Sequence, residues 1–160
     1  MTLTLDKEIV WQEIEKQLFA VLGMVTAHQE ARTVGIVYLV DEYKLYIGTD
    51  KKAWKTRHIQ QNPNVSLTIP IPKRIPLMPW IKIPSATISF SGKAQVRNLD
   101  SLSDDLISRI YRGLEIDEAF RQEAVVIAVE PVGEFITYGV GVSLMTMRTP
   151  EKARGRAAVG

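Results

Sequence analysis

Three apolar, β-branched runs follow one another closely in the first third of this chain, at residues 19–27, 33–40 and 44–48. Only a short polar stretch around His28-Gln-Glu-Ala31 separates the first two, and Asp41-Glu-Tyr43 separates the second pair. A parallel crossover needs roughly a dozen residues or more, so links this short join antiparallel neighbours. That excludes a doubly wound parallel sheet and implies a β-meander.

The rest of the chain extends this pattern. Strands are expected at 65–69, 86–97, 124–129 and 134–138, with Pro131-Val-Gly133 as a turn between the last two and Gly92 as a bulge or a point of close approach. Asp6 can cap a helix running to about Gln17, with Ile9, Val10, Ile14 and Leu18 as its buried stripe. A second helix is expected over 53–61, stopped by Asn62-Pro63, because proline disfavours helix at the residue before it. Leu102, Leu106, Ile110 and Leu114 mark a third helix, behind a weak capping box at Ser101-Leu-Ser-Asp104. Five of the eight prolines fall at Pro70, Pro72, Pro76, Pro79 and Pro84. A central strand cannot hold so many, so an extended, poorly paired excursion is expected there. Residues 139–160 show no clear period and read as irregular. The expected architecture is mainly β: an antiparallel barrel of six to seven strands, closed or nearly so, with flanking helices. Residues 1–147 form one domain and 148–160 a basic C-terminal tail.

The 160-residue length suits one domain with a sizeable core. Cysteine is absent, which excludes disulfides, thiolate metal sites and cysteine nucleophiles and suits a reducing cytoplasm. No apolar run reaches the ~20 residues of a membrane span, and the charged residues within 1–17 leave no apolar signal core. Net charge is +2 and unevenly placed. Arg148, Lys152, Arg154 and Arg156 against Glu151 give residues 148–160 a charge of +3, which leaves −1 for residues 1–147. A basic tail without interleaved aromatics does not make a nucleic-acid face. His28 and His58, the only histidines, lie far apart in sequence, so no zinc site is expected. Neither a phosphate loop nor a complete dinucleotide fingerprint is present, since Gly139-Val-Gly141 lacks its third glycine.

The candidate chemistry lies at residues 48–55. Thr49 offers a hydroxyl, and Lys51, Lys52 and Lys55 offer ammonium groups, immediately before a helix whose first N–H groups lack internal partners. Such a place binds anions. The same lysines also suit a solvated turn, and spacing alone favours that reading.

Around this stretch the sequence runs Gly48, Thr49, Lys55, Ile59, Asn62, Pro63, Val65, Ser66, Leu67. In that order and register it resembles the pyridoxamine 5'-phosphate oxidase-like FMN-binding split β-barrel family, loosely over residues 18–138 and most strongly over 44–67. The resemblance implies that Lys55 holds the cofactor phosphate, helped by Thr49, Lys51 and Arg32. It implies that the backbone of Gly35, Ile36, Val37 and Tyr38 meets the flavin ring, with Gly48 in the turn. Trp54 either packs on the barrel or lines the phosphate end. Arg32 equally suits an ordinary surface arginine. The chain departs from the family pattern at Ala53 and Trp54, where Ser and Arg are usual. Val37 stands where the true oxidases carry a lysine, and their C-terminal Trp- and Arg-containing motif is missing. Conversion of vitamin B6 is therefore not the expected reaction.

The resemblance implies a homodimer with FMN at the subunit interface, acting as an oxidoreductase on a small-molecule substrate, with no nucleic acid and no membrane as partner. No catalytic residue is singled out. The alternatives are a reductase using the deazaflavin F420, whose longer tail Lys73, Arg74 and Lys82 could meet, a non-enzymatic flavin- or haem-binding protein, and a cofactor-free dimeric barrel. The proline-rich excursion reads as a dimer contact.

Overall fold

The computed structural model describes residues 2–160. Strand β1 (Leu3–Thr4) and helix α1 (Lys7–Lys16) precede the meander of β2 (Phe19–Val25), β3 (Ala31–Val37), β4 (Leu39–Asp41) and β5 (Lys44–Asp50). Helix α2 (Trp54–Gln61), β6 (Asn64–Ile71) and β7 (Ala86–Asn98) follow, then α3 (Asp104–Ile110), α4 (Glu118–Glu123) and β8 (Ala124–Tyr138). The chain ends with α5 (Pro150–Ala153) and β9 (Arg154–Ala158). The order across the sheet is β1-β9-β8-β7-β6-β2-β3, with β5 pairing the first half of β8 on the same edge as β9, and β4 beyond β5. Every pair is antiparallel except β1 with β9, which is parallel. This is the expected split β-barrel. It has nine strands instead of six or seven, because β1, β4 and β9 add short pieces, and its sheet is not closed.

Local chemistry accounts for the elements. Asp6 accepts the Glu8 N–H at 2.9 Å and starts α1. The helix buries Val10, Trp11 and Ile14. Ile9 and Leu18, expected in the same stripe, are exposed. At 100° per residue Ile9 sits about 140° from Ile14, and Leu18 lies beyond the helix end, where the period no longer applies. Between β4 and β5, Glu42 and Tyr43 both have positive φ (46° and 60°), the geometry of a two-residue type I′ hairpin. Inside the barrel, Phe135 takes Trp11 and Phe90 edge-on at centroid distances of 5.4 and 5.3 Å. Such contacts add about 0.5–1.5 kcal/mol each beyond area burial. A second, smaller apolar cluster lies under α3, where Leu106 and Ile107 meet Tyr46 of β5 and Val126 of β8.

Two expectations need correction. The last two predicted strands are one strand, β8, which slips register against β7 between Ser89 and Ser91. Gly133, at φ +78°, supplies the left-handed residue this bend requires. Pairing with β5 ends at Val129 and pairing with β9 begins at Glu134. Pro131 sits at this changeover, where a missing N–H breaks no bond on that edge. The second correction concerns residues 139–160, read as irregular with a separate tail. β9 adds a strand to β8 there, so Arg154–Ala158 belongs to the sheet. The proline-rich excursion is present, although β6 continues through Pro70 to Ile71 before it starts. No described helix is long and apolar enough to cross a membrane.

Candidate functional site at the split of the barrel

The barrel opens between β3 and β5, because β3 pairs on one side only, with β2. Tyr38 N–H donates to the Leu18 carbonyl at 3.3 Å, and Thr26 N–H donates to the Glu30 carbonyl at 2.9 Å. These bonds flank the β2–β3 ladder and set its alternation, which assigns the even-numbered residues of β3 to β2. The N–H and C=O groups of Thr33, Gly35 and Val37 therefore face the open edge. A strand edge of this kind is a row of unused donors and acceptors.

One cleft lies at the Val37 end of the split, and a second adjoins it over β5 and the start of β8. The first, about 300 Å³, is bounded by Val37 and Tyr38, by Tyr46 and Gly48 of β5, and by Arg109 and Tyr111 at the end of α3. The second, about 280 Å³, continues past Gly48 to Thr49, Asp50, Phe120 and Glu123. Tyr111 is their shared wall, braced edge-on by Phe120 at 5.3 Å. Its hydroxyl is buried without a hydrogen-bond partner, and burial pushes its phenol above the ordinary value. A Cβ on Gly48 would lie 3.1 Å from the Tyr111 ring, so bare backbone is what lets the ring approach β5.

Helix α2 points its N-terminus out from the end of β5. Ala53, its N-cap, has the extended backbone of a cap (φ −59°, ψ 140°) and no side-chain hydrogen bond. By contrast, Asp6, Ser103 and Asp117 cap α1, α3 and α4 with their side chains. The first N–H groups of α2 thus lack a side-chain acceptor. Along the sequence, residues 51 to 99 hold nine Lys and Arg and no Asp or Glu, while Asp50 and Glu123, which line the second cleft, are the acids beside the start of α2.

The structure sorts the expected site residues. Val37, Tyr38, Gly48 and Thr49 line the clefts, whereas Arg32, Gly35, Ile36, Lys51, Trp54 and Lys55 do not. Gly35 lies on the open edge of β3, with the Phe19 ring packed over its bare Cα. Ile36 points into the core. The Tyr38 side chain is also a core group, and its hydroxyl donates to the Ile14 carbonyl at 2.7 Å. Arg32 pairs with Glu30 at 2.7 Å. Lys51 donates to the Gln122 carbonyl, and its own N–H binds the Glu123 carbonyl at 2.9 Å, which ties it to α4. Lys52 pairs with Glu123 at 3.3 Å. Trp54 is partly exposed and packs edge-on against His58. Lys55 has no ion pair with any described carboxylate and sits in the first turn of α2. Lys82 lines a different cleft, with Arg148. Sequence reasoning missed Tyr111 and Phe120. Their only signal was an aromatic residue at the end of α3 and another inside the unanticipated α4.

No family model matches the chain, and no curated protein matches it. Solved structures do. A provisionally assigned pyridoxamine 5'-phosphate oxidase from Listeria innocua superposes with a TM-score of 0.61 at 20% identity, over 78% of this chain and 92% of that one. An F420 reductase superposes with a TM-score of 0.55 at 20% identity, over 78% and 93%. The heme storage protein of Vibrio cholerae reaches 0.65 at 16% identity, over 88% and 98%. These likenesses are of fold: the chain has the split β-barrel of the pyridoxamine 5'-phosphate oxidase-like proteins.

Proposed function

We propose that the protein binds FMN along the split between β3 and β5 and serves as a flavin-dependent oxidoreductase on a small molecule. The observation that carries this reading is one juxtaposition. An open strand edge, with free N–H and C=O groups at Gly35 and Val37, adjoins a cleft that leads toward an uncapped helix N-terminus bearing an unpaired lysine. A flat heterocycle with alternating donors and acceptors suits the edge. A phosphate suits α2, where N–H groups and the helix dipole favour negative charge, and Lys55 adds a charge-assisted hydrogen bond. These groups fit FMN without the Ser and Arg absent at positions 53 and 54. Arg32 and Lys51, each already engaged, are secondary. When bound, the flavin supplies the electron-accepting and electron-donating chemistry, and the chain supplies orientation and shelter from water. Tyr111 walls the clefts with its ring.

The reading includes a homodimer. The outer sheet face carries exposed Phe19, Val37, Val132 and Ile136. Between them in the ladder lie Ser66, Thr68, Ser89 and Ser91. A flat face of small and apolar residues suits a second copy, which would roof the open edge of β3. A cytoplasmic location belongs to the same proposal, supported by the absence of cysteine.

Equilibrium dialysis against FMN tests it. The parent protein retains FMN, and Lys55→Ala retains it at least about tenfold more weakly, the loss of one charge-assisted bond. Equal retention by both removes Lys55 from the site. Anaerobic mixing of the loaded protein with NADH or NADPH then tests the oxidoreductase: bleaching of the flavin band supports it, and a flavin that stays oxidised with both donors makes the protein a carrier.

A further inference from the structure

Residues 72–85 leave the sheet between β6 and β7 and return to it without forming a strand or a helix. Their shape comes from two consecutive turns. Met78 N–H donates to the Ile75 carbonyl, and Ile81 N–H donates to the Met78 carbonyl, each at 3.1 Å. The two turns read Ile75-Pro76-Leu77-Met78 and Met78-Pro79-Trp80-Ile81. Each carries proline at its second position, where the ring presets φ for a turn. Each therefore places its third residue at a tip. Those residues are Leu77, 86% exposed, and Trp80, 75% exposed. Two large apolar side chains are held out in water by a backbone that prolines have already restricted.

The charge beside them is positive throughout. Lys73, Arg74 and Lys82 flank the tips in sequence, and Lys82 and Arg148 line one apolar cleft with Ile75, Ile81 and Met145. None of these four cations pairs with a described carboxylate. Glu151 is the nearest acid in sequence, three residues past Arg148. The expectation for this segment was a dimer contact and no membrane partner, because it shows no helical apolar face. A loop needs no such face.

We propose that this loop docks the protein on an anionic lipid surface. Leu77 and Trp80 enter the boundary between headgroups and acyl chains, and Lys73, Arg74, Lys82 and Arg148 meet the anionic headgroups. Tryptophan at a tip favours this boundary, where its ring is in apolar surroundings and its N–H remains wet. Basic residues beside it add attraction to an anionic leaflet, and two such signals together give stable attachment where either alone is marginal. A second copy of the chain is the rival occupant. It is better served by the flat face of β2, β3, β6, β7 and β8 than by two separate protruding tips.

The test is co-sedimentation of the full chain with phosphatidylcholine vesicles, with and without a phosphatidylglycerol fraction, alongside size-exclusion chromatography. The parent pellets with the anionic vesicles only and is released by high salt, and the emission of Trp80 shifts to the blue, a shift that Trp80→Phe abolishes. The double variant L77D/W80D, altered only at exposed tips, loses at least about tenfold in vesicle partition with its oligomeric state unchanged. Lys82→Gln with Arg148→Gln leaves the tips intact and weakens partition by roughly fivefold per charge. Failure of the parent to pellet with anionic vesicles overturns the proposal, as does equal partition of L77D/W80D. A tip variant that falls to a smaller species assigns the loop to a second copy and also overturns it.

Discussion

Substituting Ala53 with Asp probes the helix terminus on which the phosphate site rests, because it moves stability and binding in opposite directions. Ala53 already has the backbone of an N-cap and contributes no side-chain bond. An Asp there accepts an N–H of the first turn of α2, and a cap of this kind is worth about 0.5–2 kcal/mol relative to alanine. The cluster of Lys51, Lys52 and Lys55 reinforces the added carboxylate, so the ligand-free protein is stabilised by about 1 kcal/mol. The same carboxylate takes the N–H groups a phosphate would use and repels the phosphate. Two unit charges at ~4 Å cost about 1 kcal/mol even at the dielectric constant of bulk water. A phosphate carrying nearly two charges therefore loses about 2 kcal/mol, roughly thirtyfold in Kd. Urea unfolding of the ligand-free protein reads the first effect, and fluorescence titration with FMN reads the second. Higher stability with unchanged FMN affinity refutes the placement of the phosphate at α2. Unchanged stability would mean the terminal N–H groups are already satisfied.

Two further outcomes concern buried hydroxyls. The Thr137 hydroxyl is buried without a partner, against the backbone of Gly155. Thr137→Val removes an unsatisfied polar group at nearly constant shape and stabilises the fold by about 1 kcal/mol, read by urea unfolding; destabilisation instead shows that the hydroxyl has a partner. The Tyr38 hydroxyl donates to the Ile14 carbonyl, which also accepts the Gln17 N–H at 3.2 Å. Tyr38→Phe therefore leaves that carbonyl paired and costs only about 1 kcal/mol. Burial raises the Tyr38 phenol above its ordinary value. The unfolded chain thus ionises first, and stability is full below pH about 10 and falls as pH rises past it. The urea midpoint of the parent drops more steeply above that pH than the midpoint of Tyr38→Phe; parallel curves would contradict the assignment.

How much of this the sequence carried depends on which interaction shapes each part. The meander was legible because β2, β3 and β5 are long apolar runs joined by links too short for anything but antiparallel pairing. The end of α2 was legible because Asn62-Pro63 is a local stop. β9 was not, because Arg-Gly-Arg-Ala-Ala has little strand character of its own and pairs only because β8 and β1 flank it. Nor was the continuity of β8, since Pro131 and Gly133 usually mark a turn and become a bend only where neighbouring strands change over. At the site, Gly48, Thr49 and Lys55 were singled out by the family resemblance, since spacing alone favoured a solvated turn. The engagement of Arg32 with Glu30 and of Lys51 with α4 was not, because both depend on side-chain packing. Tyr38 was expected to contribute backbone at the ring; its N–H is bonded to the Leu18 carbonyl, and its hydroxyl ties the end of β3 to α1.

The central claim is that the split between β3 and β5 holds FMN. The most direct measurement is the visible absorption spectrum of the purified protein after addition of FMN and removal of the excess by gel filtration. The account predicts flavin bands that travel with the protein at close to one flavin per chain, and that diminish in Lys55→Ala and Ala53→Asp. A protein that emerges colourless, with all the FMN in the late fractions, contradicts it.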